Sequence, residues 1–515
     1  MKWLGLGGKK GSLTDGADAT GVAVPFAAIV LAMLPAVLDQ TILATALPVI
    51  AGDLGSVTDV SWVVTAYVVA AAAATPLWGK LGDRHGRKLV LEVALTLFVA
   101  ASALCSAAQD ITQLIVLRSI QGVAAGGLMT LAMAVIGDLV APRERGRYQG
   151  YVAATFAVAT IVGPLLGGLL VQSASWRWVF IVNLPIGAAA LAGLALRLPA
   201  PADDERPARP LDVLGAVLLA GATTALMLTC IWGGDRYAWA SAPIIALVGA
   251  TVALGVGLVV HERRAADPIV PFGLLRTRVV AVASAALFLG TAALFAITVF
   301  VPLFLQTTTG ATPTEAGLLL VPAMLGITIS STLSGRSISR TGRYKRFPVA
   351  GLALMSLALG LLAVFAGDPS QVATGIGLAV FGLGFGMVTQ VLIVAVQNGV
   401  DRRELGIATA TTGFFRALGG AVGAAILGAV FAAHAGATAS HAGGTGLDSV
   451  LRSDVIDGVQ AVFAVAAPLA ALGLLVVLLL EEVPLRQAPA PPRRETSDAA
   501  TSSDGGPRGR EPAHA

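Results

Sequence analysis

The chain has 515 residues, of which 56% are hydrophobic and only 12% charged. A water-soluble domain carries about a quarter charged residues, so most of this surface does not face water. The net charge of +4 is scattered over many short segments, which excludes a nucleic-acid binder. Cys105 and Cys230 both lie inside apolar runs, which excludes a disulfide framework or a CxxC metal pair.

Lys2, Lys9 and Lys10 precede a polar stretch over 11–20, and no short apolar segment with a cleavage site follows Lys2. Residues 1–21 therefore read as a retained cytoplasmic tail rather than a signal peptide. Apolar runs of about 20 residues then recur, which predicts an all-α polytopic membrane protein. We count fourteen transmembrane helices. Six lie at 22–50, 60–79, 89–107, 111–139, 147–171 and 177–198; two more at 211–232 and 241–260; six at 279–305, 314–334, 347–366, 371–397, 404–432 and 458–481. Residues 199–210, rich in Pro and acids, form a polar linker, 433–457 a long external loop, and 484–515 a disordered cytoplasmic tail.

The stretch from Gly79 to Lys88 crowds six ionisable side chains into ten residues between two spans. It returns further on: Gly79, Arg84, Gly86 and Arg87 fall on Gly335, Arg340, Gly342 and Arg343 at one constant offset. Gly150, Gly163 and Gly167 fall on Gly406, Gly419 and Gly423 at the same offset. The chain thus reads as a duplication, with spans 1–6 (22–198) matching spans 9–14 (279–483) and spans 7 and 8 inserted between them (199–278). Repeats of this kind build transporters whose substrate site lies between the halves. Lys and Arg cluster after even-numbered spans, as at Lys80, Arg84, Arg87 and Lys88, whereas loops after odd-numbered spans hold only Arg177, Arg236 and Arg452. Cytoplasmic loops carry the basic excess, so both termini are expected inside the cell.

Within the spans, Asp39 stands far from either end of the first. A carboxylate at that depth costs about 2.5–3.5 kcal/mol on insertion scales and needs a cavity or a partner. A low dielectric favours its neutral form, which makes it a candidate proton carrier; a structural acid bonded to Thr41 or a neighbouring helix is the alternative. Arg118 in span 4, followed by Gln121 and Gly122, must pair or face water because a guanidinium does not deprotonate. It reads either as a modulator of a nearby acid or as a static arginine on backbone carbonyls. Gly163, Pro164, Gly167 and Gly168 in span 5 form a bent, small-residue face, either plain packing or a half-to-half contact that shuts the outer end. Asp83 is expected to cap the next helix or to pair across the halves, joined by Arg84 and Arg87 and by Glu92 and Asp138. Arg416, in span 13, has no basic counterpart in the first half; packing or binding of an anionic or phenolic substrate are both open. His85, His261, His434 and His441 lack metal spacing, and no GxxxxGK[ST] loop occurs, so no metal or other cofactor is expected.

Taken together these stretches resemble the fourteen-helix drug–proton antiporter branch of the major facilitator superfamily. The resemblance is carried by Gly79-xxx-Asp83-Arg84-xx-Arg87-Lys88, Leu38-Asp39-xx-Ile42-xxxx-Leu47-Pro48, Arg118-xx-Gln121-Gly122, Gly163-Pro164-xx-Gly167-Gly168 and Trp176-Arg177-Trp178-Val179-Phe180-xxx-Leu184-Pro185. Ala159 stands where the antiporter motif usually opens with glycine, and Ser339 where the second loop motif would carry an acid. Span 10 has no internal acid, Glu315 lying at its outer edge, which weighs against dication binding there. The resemblance implies two six-helix bundles plus two inserted helices in the cytoplasmic membrane. It implies a non-enzymatic, monomeric antiporter that exports an amphipathic drug or antibiotic in exchange for protons. Proton coupling would fall to Asp39 and Arg118, the inner gate to Gly79, Asp83, Arg84, Gly86 and Arg87, and the export bias to Gly163, Pro164, Gly167 and Gly168. Gln121 and Arg416 are candidate substrate contacts. A proton-coupled importer of a sugar, peptide or organic acid is the alternative.

Overall fold

A computed structural model describes residues 15–54, 60–198, 212–234, 236–265, 267–270, 272–309, 320–365, 371–435, 447–483 and 485. Residues 1–14 of the expected N-terminal tail over 1–21, the linker at 199–210 with Arg206 and Arg209, Glu315, residues 436–446 of the expected external loop with His441, and the C-terminal tail apart from Leu485 lie outside them; 15–21 and 447–457 are helical instead, belonging to the first and last long helices.

The described chain is helical almost throughout. The first half comprises α1 (Asp15–Asp53), α2 (Val60–His85), α3 (Arg87–Ser106), α4 (Ile111–Leu139), α5 (Arg145–Ser173), the one-turn α6 (Trp178–Ile181) and α7 (Asn183–Arg197). Then come α8 (Val213–Trp232) and α9 (Ala242–Glu262), the short α10 (Phe272–Arg276), and α11 (Arg278–Phe295), which passes through a π-helical turn at Ala296–Phe300 into α12 (Val301–Thr309). The rest is α13 (Val321–Thr341), α14 (Arg346–Phe365), α15 (Gln371–Gly399), α16 (Leu405–Ala435) and α17 (Leu447–Leu478). Thirteen helical spans among the described residues are long and apolar enough to cross a bilayer. Helix α13 has 21 residues, enough to cross, but Ser330, Ser331, Ser334, Arg336 and Arg340 lower its hydropathy.

Three sequence expectations need correction. The charged stretch at 79–88 is not a loop: α2 runs unbroken to His85, Gly86 alone makes the turn, and α3 starts at Arg87. Charges at a helix end lower hydropathy without breaking the backbone hydrogen bonds. Span 6 is interrupted at Val182, between α6 and α7. Span 10 is described from Val321 and continues past 334 to Thr341.

Gly86 has φ 89° and Gly342, its repeat partner, φ 71°. Both occupy the left-handed region that an L side chain avoids, so the duplicated glycine marks the same turn in each half.

Two large apolar cores lie on either side of a seam. One gathers α11–α17 around residues such as Phe300, Phe381, Leu392 and Phe463. The other gathers α1–α5 and α7 around Ile29, Leu91, Phe98 and Leu131, continued by a cluster with Ile42, Val63 and Trp176. Helix α8 packs on both sides of the seam, its Met227 against Val69 and Ala72 of α2, with Ala417 and Ala421 of α16 alongside. The segment after α9 is held to the first half by a Lys80–Asp267 ion pair. The inserted helices are themselves tied together by His261 Nε2 and Asp212 Oδ1 at 2.7 Å.

The halves touch closely where α5 meets α13. A Cβ added to Gly335 would lie 1.9 Å from the Gly146 carbonyl oxygen, and one on Gly150 would lie 2.9 Å from Thr332 Cα. Gly335→Ala is expected to lower stability by about 1–3 kcal/mol, the usual cost of overpacking. Gly360→Ala, where a Cβ meets nothing within 4 Å, is expected to be neutral or slightly stabilising. Thermal denaturation of the two purified variants is the check.

Candidate functional site

Three assemblies carry the polar chemistry: a dry cluster in the first half, a latch at the end that bears the 79–88 stretch, and a cavity on the seam.

The dry cluster is built on Asp39, which is 0% exposed. Its Oδ2 accepts from Arg118 Nη1 at 2.5 Å. Its Oδ1 accepts from Gln121 Nε2 at 3.1 Å and Asn183 Nδ2 at 3.2 Å. Arg118 also donates from Nη1 to Gln121 Oε1 at 2.6 Å and from Nε to the Val63 carbonyl at 3.1 Å. The Tyr67 ring lies 4.1 Å from the guanidinium carbon, within cation–π reach. Ser102 Oγ accepts from Gln121 and Asn183 and donates to the Phe180 carbonyl. Asp39 thus finds the partner its depth demands, and both alternatives for Arg118, an acid and a backbone carbonyl, are present together. Gln121 belongs to this cluster and does not line the cavity. Ser102, Asn183 and Tyr67 escaped sequence reading, although Asn183 sits inside the Phe180–Pro185 motif and is polar in an apolar run, a usable signal.

Helix α5 lies against α1 beside this cluster. A Cβ on Gly163 would meet Thr41 Oγ1 at 2.0 Å, and one on Gly167 would meet Thr45 Oγ1 at 2.2 Å and the Ile42 carbonyl at 2.7 Å. One on Gly168 would meet nothing within 4 Å. Of the two readings left open for this face, packing within the first half is the one seen at Gly163 and Gly167, which lie four residues apart and both turn towards α1. Pro164 is exposed, and α5 continues through it.

At the latch, Asp83 reaches across the seam. Its Oδ1 accepts from the Gly406 amide at 3.0 Å and its Oδ2 from the Ile407 amide at 2.8 Å. These are among the first amides of α16, which have no partner within their own helix. Arg87 grips the same carboxylate through Nη2 at 2.6 Å and Nε at 3.0 Å, and reaches Asp138 with Nη1. A Cβ on Gly79 would collide with Ala410 Cβ at 2.5 Å, so that glycine sets the α2–α16 distance. Arg84 makes no ion pair among the described residues, its Nη1 being buried without a partner, and Glu92 pairs only with Lys88, at 3.9 Å. Arg145 and Gln397 form a second bridge that the sequence did not reveal. Arg145 Nη1 donates to the Gln397 carbonyl at 3.0 Å and Gln397 Nε2 to the Met133 carbonyl at 3.0 Å. Ser339, the repeat partner of Asp83, donates only to Gly335 in its own helix.

Above the latch, on the seam, lies a cavity of about 230 Å³ lined from α4, α5, α11, α13, α15 and α16. Pockets for drug-sized ligands run to about 300–1,000 Å³, so this cavity is smaller than such sites usually are. Its walls are mostly apolar, with Met129, Met133, Phe156 and Phe385, and Arg416 projects from α16. A larger cleft of about 920 Å³ opens further from the latch, walled by α2, α8, the π-helical turn and α16, with Cys230 among its lining.

Comparison with known proteins fits this architecture. The profile of the Major Facilitator Superfamily matches residues 29–424. The chain belongs to that superfamily, whose members are multi-pass membrane transporters and not enzymes. It is 43% identical over 408 residues to an uncharacterized MFS-type transporter of Mycobacterium tuberculosis, a match covering 79% of this chain and 59% of that protein. The chain thus spans less than two thirds of that relative's length. It is 34% identical to the multidrug transporter protein MdtP of Bacillus subtilis, over 79% of this chain and 75% of that one. It is also 34% identical to multidrug resistance protein 3 of the same organism, over 78% of each chain. Among solved structures, the human organic anion transporter MFSD10 superposes with a TM-score of 0.64 at 18% identity, covering 90% of this chain and 99% of that one. That likeness shows the fold alone.

Two measurements test the site. Asp39→Asn and Arg118→Gln should each destabilise the protein, since each leaves a buried partner unmet, by about 3–5 kcal/mol. The double variant should lose clearly less than the two losses added together. Asp83→Asn should raise hydrogen exchange at the Gly406 and Ile407 amides about tenfold, matching the loss of roughly 1.4 kcal/mol of capping, while Glu92→Gln leaves it unchanged.

Proposed function

We propose that the chain is a proton-coupled antiporter that exports an amphipathic small molecule across the cytoplasmic membrane by alternating access. The observation that carries this reading is the Asp39–Arg118 pair, sealed at 0% exposure for both residues in the interior of the first half. Protonation of Asp39 removes the negative charge that holds the guanidinium. An arginine stripped of its counter-charge in a low dielectric must find another partner or water. The helices that meet at the pair, α1 and α4, are thereby pushed towards a second arrangement. A proton taken up from one side and released on the other ties that rearrangement to the proton gradient.

In this reading the two halves rock about the seam. Gly79, Asp83, Gly86 and Arg87 form the inner gate, on the cytoplasmic side with both termini, and Arg84 flanks it. The tight α1–α5 contact at Gly163 and Gly167 passes movement of Asp39's helix to the cavity wall, because Ala153, Phe156, Ala157 and Thr160 of the same α5 line that cavity. Export is favoured over uptake because relatives at 34% identity are named a multidrug transporter, a multidrug resistance protein and an efflux pump.

Everted vesicles with an acidic lumen and a fluorescent amphiphile in the outer medium provide the test. Wild-type protein should accumulate the dye in the lumen as protons leave it, and stop when an uncoupler is added. Asp39→Asn, inserted at a normal level, should lose proton-driven transport by more than about tenfold, as expected for removal of a group essential to the cycle. Full transport by that variant would reject the role given to Asp39.

A further inference from the structure

The cavity on the seam holds a charge imbalance. Arg416 is the one charged side chain among its described lining residues, and no carboxylate joins it there. The guanidinium makes no hydrogen bond or ion pair with any described residue. The position that matches it in the repeat is Thr160 on α5, which also lines the cavity, so the charge stands on one wall only. The buried acid within the first half, Asp39, is already engaged by Arg118, Gln121 and Asn183.

Other polar groups on the same lining are also unmet. Thr409 and Thr389 are 5% and 8% exposed, and their Oγ1 atoms, with Gln390 Oε1, are buried without hydrogen-bond partners. Hydroxyls and a guanidinium are donors to an anion. An arginine left unmatched away from bulk water is costly, and so are unmet buried hydroxyls. A neutral cargo would leave the cation unmatched, and a cationic cargo would be repelled by it. The methionines and phenylalanines of the remaining wall suit an apolar or aromatic body.

We infer that the cargo of this cavity is an anionic amphiphile, its carboxylate, phenolate or sulfonate held by Arg416 and its apolar body lying among Met129, Met133, Phe156 and Phe385. The inference rests on the reading of the cavity as the transport site, and it narrows the cargo to one charge class. It also gives the two cations within the spans different roles, since Arg118 answers to an internal acid and Arg416 to an acid that arrives with the cargo.

The test uses three probes of one fluorophore: dansylglycine, an anion; dansylglycinamide, its uncharged amide; and dansylcadaverine, a cation. Binding to the purified full chain in nanodiscs is followed by fluorescence titration. Dansylglycine should bind wild type about tenfold or more tightly than the amide, the least expected from a desolvated charge pair. Arg416→Gln, with an unchanged elution profile, should bring the two within about twofold, and Arg416→Lys should restore part of the preference. Equal binding of anion and amide by wild type, preference for the amine, no saturable binding of the anion, or a preference that survives Arg416→Gln would each overturn the assignment. Transport in everted vesicles separates this outcome from the export reading. Proton-driven movement of the amine or amide without Arg416 dependence removes the anion site and leaves export standing. Arg416-dependent binding of the anion without proton-driven movement of any probe keeps the anion site and removes export.

Discussion

The fold is organised by the cost of placing a carboxylate and a guanidinium together where no water reaches. Such a pair survives only with good geometry and further hydrogen bonds to the two charged groups. Here Gln121, Asn183, Ser102, the Val63 carbonyl and the Tyr67 ring perform that duty, drawn from α2, α3, α4 and α7. Meeting these bonds pins most helices of the first half to one another at mid-depth, so the cluster is a structural anchor as well as a chemical one. Among the described residues the second half has no matching ion pair; its core is apolar, and its internal cation, Arg416, faces the seam cavity.

Close contact between the halves follows another logic, that of backbone approach. Where α2 meets α16 and where α5 meets α13, glycines remove the side chains that would hold the helices apart. The duplication reproduces this geometry in both places, but only α2–α16 carries a carboxylate across the seam. At α5–α13, Arg145 supplies the polar tie by reaching α15 instead.

Much of this was legible from the residues, for physical reasons that also set the limits. Long apolar runs announce membrane helices because a bilayer tolerates little else. Asp39 and Arg118 announce themselves because a charge at that depth is conspicuous. Gly86 and Gly342 could be paired by the repeat before their shared backbone conformation was known. Ser102 and Asn183 stayed hidden because a single small polar residue in a membrane helix reads as packing until its partners are placed. The 79–88 stretch reads as a loop because hydropathy records the charges and not the continuity of the helix. The neighbour of Gly163 and Gly167 stayed open between two readings because periodicity defines a face without naming what packs on it. Gln121, one turn from Arg118, reads equally well as a cargo contact or as a clamp on the pair, and only three-dimensional placement separates these.

Helix α8 has a geometric position with its own consequence. It leans on α2 from one bundle and on α16 from the other, while the Lys80–Asp267 pair moors the stretch behind α9 to α2. Any parting of α2 and α16 must therefore drag α8 along one and slide it past the other. Under the proposed rocking of the halves, the inserted pair would therefore behave as a shutter on that side of the molecule, geared to the motion of α2 against α16.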